Sequence, residues 1–103
     1  MIFTGATAAI KGGPRFASLA SAKFAFRGLA QSLAREFGPQ GVHVVHPVLD
    51  GLIWCPQTRE RFKVERDRCI EPDAVARTYL QLVGQDRSAW TNEIDVRPFL
   101  ENF

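Results

Sequence analysis

The chain has 103 residues, 46% of them apolar, and a formal net charge of +2. That is one domain's length with apolar material enough for a packed core, which argues against disorder. So small a net charge draws the chain to neither nucleic acid nor anionic lipid, and no apolar run approaches the ~20 residues needed to cross a bilayer, so neither partner is expected.

Residues Ile2 to Gly5 form a short apolar run ending in glycine, which reads as a buried parallel strand. Lys11-Gly-Gly-Pro14 is a loop. From Arg15 to Phe37 the pattern is helical, with Phe26, Leu29, Ala30, Leu33 and Phe37 at spacings of three and four, and Gly38-Pro39 stops it. The opposite flank carries Ala17, Ser21, Ala25, Gly28 and Ser32, small enough to admit a neighbouring helix or to pack on the chain's own sheet.

Val42 to Leu49 is valine-rich and predicts a second buried strand, reached from the first by a right-handed crossover through the long helix. Asp50-Gly51 turns the chain. Trp54 to Ile70 mixes Arg59, Arg61, Lys63, Arg66 and Arg68 with Glu60, Glu65 and Asp67, the composition of a solvated loop or short exposed helix. Pro72 and Asp73 open a second helix whose apolar face is Val75, Tyr79, Leu82 and Val83, with Gly84 ending it. Trp90 to Val96 reads as a final strand, stopped by Pro98.

Little independent chemistry stands out. His43 and His46 lie three apart on a strand and so point to opposite faces, which prevents joint chelation; no metal site is expected. Cys55 and Cys69 form no disulfide framework and no leader-like segment precedes them, so a reduced cytoplasmic setting is expected.

Phe16-Ala-Ser-Leu-Ala-Ser-Ala-Lys23-Phe-Ala-Phe-Arg-Gly-Leu-Ala30 resembles the active-site helix of the short-chain dehydrogenase/reductases. Met1-Ile-Phe-Thr-Gly-Ala6 is similar to the family's fifth strand, and Gly41-Val-His-Val-Val-His-Pro-Val-Leu-Asp50-Gly51 to its sixth. The tail Arg87-Ser-Ala-Trp-Thr-Asn-Glu-Ile-Asp-Val-Arg-Pro98 resembles the last strand of an atypical branch that lacks the catalytic tyrosine. The resemblance implies a partial Rossmann-like doubly wound α/β fold of about three parallel strands with flanking helices, residues 1–103 being the carboxyl-terminal half of the domain.

It also implies NAD(P)-dependent oxidation or reduction of an alcohol or carbonyl. Lys23 would be the catalytic lysine that holds the nicotinamide ribose, with Arg27 one turn on sharing its face and able to join it in holding an anion. The position four residues earlier, where the family has its tyrosine acid, is Leu19, and the catalytic serine's position is Ala6, with Thr4 and Thr7 nearby. Gly51 and Cys55 would face the cofactor, Cys55 standing where a threonine usually bonds the carboxamide.

The family's glycine-rich pyrophosphate turn would precede Met1; Thr4-Gly5-Ala-Thr-Ala-Ala-Ile-Lys11 imitates its start, but the later glycines fall on Ala9 and Lys11. The isolated chain is therefore expected to bind neither NAD nor NADP tightly and to be inactive. It is expected to form a homo-oligomer, or to pair with a full-length relative, through the helix at 15–37. A non-catalytic interaction module and a truncated gene product are the other readings.

Overall fold

The computed structural model describes residues 1–103. Strands β1 (Gly5–Ala6), β2 (His46–Leu49) and β5 (Glu93–Val96) form a parallel sheet in the order β1-β2-β5, in the register Gly5↔Val48 and His46↔Glu93. Helices α1 (Ala17–Phe37) and α3 (Pro72–Val83) lie in the crossovers. They take opposite faces of the sheet, because side chains alternate along a strand. Phe3 meets Phe26 of α1 edge-on at 5.2 Å, whereas its neighbour Thr4 bonds the Tyr79 hydroxyl of α3 at 2.7 Å. The partial doubly wound α/β fold is thus present.

Residues 44–48 of the central strand are all buried, as expected of a strand covered on both faces. Its pairing to the first segment extends beyond β1, with Phe3 N bonding Val45 O and Val45 N bonding Met1 O, both at 2.9 Å. The ladder is nonetheless broken. Val45 donates toward the first strand, while His46 and Asp50 donate toward the last. Pro47 falls on the side of Val45 and has no N–H to give, so one donor to the first strand is missing.

The charged stretch contains the short exposed helix expected of it, together with a strand pair that was not expected. Leu52–Ile53 (β3) pairs in parallel with Cys69–Ile70 (β4), and α2 (Pro56–Phe62) crosses between them, making a second, two-stranded sheet. Two-residue strands give too short a pattern to be seen in sequence, and the charges belong to the crossover between them.

Only 15 of the 103 residues are buried, so the core is confined to β2 and the small or aliphatic side chains against it. Within α3, Leu82 is buried but Val83, assigned to the same face, is exposed, as is Leu80 at 73%. On α1 the small flank from Ala17 through Ser32 faces solvent along its whole length. Packing of that flank on the chain's own sheet is therefore excluded. Phe16 and Phe24 are exposed, whereas Phe26 is half-buried against Phe3.

Candidate active site

A cavity of about 660 Å³ opens beyond the carboxyl ends of β1 and β2, the place where open parallel sheets bind ligands. Ala6 and Thr7 line it from the end of β1, Leu49 and Gly51 from the end of β2, and Leu19 from the first turn of α1. Ala6 and Leu19 thus share one cavity, and neither side chain carries a proton to donate. The only tyrosine, Tyr79, is engaged with Thr4 on the other face of the sheet.

Beside Leu19 and Ala6 the cavity's hydroxyl is that of Thr7, and Lys11, Arg68, Glu101 and Asn102 complete its polar lining. The Thr7 hydroxyl donates to Asp50 Oδ1 at 2.5 Å, and Arg97 Nε donates to Asp50 Oδ2 at 3.2 Å. Asp50 is 1% exposed, so these bonds replace the water it has lost. Arg97 also reaches Asp95 at 3.1 Å and stacks over the Phe103 ring. Having committed its proton to Asp50, Thr7 offers lone pairs to the cavity. It can accept from a ligand hydroxyl but cannot protonate a carbonyl.

Of the three residues assigned to the site by resemblance, only Gly51 lines the cavity. A Cβ there would lie 2.7 Å from Pro98 Cδ, so its glycine is required by the packing of the carboxyl-terminal segment. Lys23 points elsewhere: Nζ lies 3.5 Å from Thr4 O and 5.6 Å from the Phe26 ring centre, with no acidic partner. Arg27 does not join it in holding an anion, because its guanidinium makes two bonds to Glu93, at 2.9 and 2.7 Å.

Cys55 stands at the N-cap position of α2. Thr58 Oγ1 is 3.0 Å from its sulfur, and that hydroxyl, aided by the backbone N–H groups of Thr58 and Gln57, holds the thiol below its ordinary pKa. Cys69 is buried, and burial together with the nearby Cys55 charge pushes its thiol up. Iodoacetamide is accordingly expected to label Cys55 before Cys69, and Thr58→Ala to move Cys55 labelling to higher pH. Equal labelling rates in the folded chain would contradict this assignment.

The two histidines part as their spacing requires. His43 stacks on Trp90 with ring centres 4.8 Å apart, and no cluster suited to a metal exists. His46 is buried, with Nδ1 3.1 Å from Glu93 Oε2 and Nε2 without a partner. Glu93 thereby ties α1, β2 and β5 together. Burial alone would raise its pKa, but hydrogen bonds from Arg27 and His46 and their charges outweigh burial and lower it.

A lowered carboxyl contributes stability above its unfolded pKa of about 4.3 and loses it as pH falls through the lower folded value. Glu93→Gln should therefore lower stability near neutrality and flatten the acid limb of a melting-temperature profile. An unchanged limb would show that the ion pair does not survive in solution.

No family model and no curated protein matches the chain. Solved structures do. A short-chain dehydrogenase from Rhodopseudomonas palustris is 44% identical over 95% of this chain and 37% of its own, with a TM-score of 0.72. A short chain oxidoreductase from Pseudomonas aeruginosa PAO1 containing an atypical catalytic center, solved with NADPH bound, is 24% identical over 99% of this chain and 46% of its own, with a TM-score of 0.79. The apo form of that oxidoreductase gives 22% identity and a TM-score of 0.76. The chain spans less than half the length of each. No helix in it is long and apolar enough to cross a membrane.

Proposed function

We propose, because the chain belongs to the short-chain dehydrogenase/reductase family, that residues 1–103 are the carboxyl-terminal half of an NAD(P)-linked oxidoreductase domain and supply its substrate-facing wall. The observation that carries this reading is the cavity shared by Ala6, Leu19 and Gly51 at the carboxyl ends of two parallel strands. A bound nicotinamide would supply the hydride chemistry. Of the residues assigned to such a cofactor only Gly51 faces the cavity: Lys23 is turned to the Thr4 carbonyl, Cys55 is already bonded to Thr58, and residues 1–103 hold no glycine-rich phosphate turn, so this half alone does not fit the whole cofactor. The two free cysteines suit a reduced cytoplasmic setting.

Alone, the chain neither binds dinucleotide tightly nor turns over alcohol or ketone. Its thermal melt is expected to be unmoved by millimolar NAD or NADP. In a chimera where residues 1–103 replace the matching part of an intact relative, NADPH binding should return. Carbonyl reduction should still require Leu19→Tyr with Ala6→Ser. A chimera that folds but binds no NADPH would sink the reading, and turnover without the two substitutions would show that another group supplies the proton.

A second reading has its own support. The exposed small flank of α1 adjoins exposed Phe24 and Leu29, a surface suited to pairing with a second copy or an intact relative. Light scattering should report an oligomer, and a monomer at every concentration would remove this reading.

A further inference from the structure

We propose that the cavity beyond β1 and β2 takes an amphipathic carboxylate, its apolar body against Phe16, Leu19, Leu49 and Leu52 and its anionic group at Lys11 and Arg68. This rests on reading the cavity as the substrate-facing wall, and it names the class of molecule that wall selects. About 660 Å³ is ample for a drug-sized ligand, and most of the lining is aliphatic or aromatic, so the bulk of the occupant is apolar.

The charges at its edge are unbalanced. The Lys11 side chain makes no hydrogen bond or ion pair, and the Arg68 side chain makes only one long bond, 3.5 Å, to the Leu100 carbonyl. Glu101 is the one carboxylate in the lining, and it pairs with neither. Were it to swing onto one of them, the other would still lack a counter-charge. Two cations from separate segments, one in the loop after β1 and one before β4, disfavour a cationic occupant and complement an anionic one.

The test is a residue-resolved NMR titration of the full chain with biphenylcarboxylate and with its uncharged amide. The carboxylate should shift the resonances of Leu19, Leu49 and Leu52 and bind about tenfold more tightly than the amide at low salt, the advantage expected of two exposed ion pairs. That advantage should shrink as salt rises. Lys11→Gln with Arg68→Gln, both at exposed positions, should weaken the carboxylate to the level of the amide and leave the amide unchanged. Equal binding of the two probes, or a preference that survives the double substitution, overturns the anionic class while leaving the cavity as a ligand site. If neither probe moves the cavity resonances, the reading of the cavity fails, and the proposal with it.

Discussion

Gly5→Ala is expected to cost about 3 kcal/mol, the upper end of what one added methyl does in a packed interior. The new Cβ would lie 2.3 Å from His46 Nε2 and 2.8 Å from its Cε1, inside the distances real Cβ atoms show. The ring has nowhere to retreat. It is 1% exposed, held at Nδ1 by Glu93 and edged by Phe26. Moving it breaks the Glu93 bond, and moving Gly5 breaks its pairing with β2.

Urea midpoints read the effect, and a double-mutant cycle identifies its cause. In a His46→Ala background the same substitution should cost less than about 1 kcal/mol, because the clash is gone. A loss that is as large without the imidazole would place the damage in the strand backbone.

Asp50→Ala should be nearly as damaging, about 2–3 kcal/mol. Breaking a buried ion pair typically costs about 3–5 kcal/mol, but Arg97 is partly open to water, which satisfies some of what it loses. The Thr7 hydroxyl loses its acceptor at the same time. Asp50→Asn keeps one carbonyl acceptor and should cost roughly half as much. Removing Arg97 first should shrink the Asp50 effect by more than about 1 kcal/mol, the signature of coupled groups. Additivity of the two substitutions would mean that the contact contributes nothing in solution.

These two sites flank the cavity in different ways. His46 and Gly5 lock the middle of the sheet, so their disruption should lower stability without a specific effect on ligands. Asp50 fixes the proton of Thr7, so its removal also frees that hydroxyl to donate into the cavity. Asp50→Ala would therefore combine lost stability with changed preference between hydroxyl and carbonyl ligands.

Much of the architecture was legible in the residues. The long helix from its spacing, the buried central strand from its valines, the proline-led α3 and the final strand all follow from local pattern, since period and capping are properties of neighbouring residues. The β3 and β4 pair escaped because two-residue strands have no period. Val83 escaped because spacing gives a face and not its edge, which depends on how the helix sits against the sheet.

The site divides along the same line. The chain's covalent identity alone determines that no phenol stands four residues before Lys23 and no hydroxyl at residue 6. Only the tertiary structure decided which polar groups meet. Thr7 finds Asp50 across 43 residues, His46 finds Glu93 across 47 and Arg27 finds Glu93 across 66. Such partners are chosen by strand order and register, which bring distant segments to one edge of the sheet, and local spacing holds no record of either.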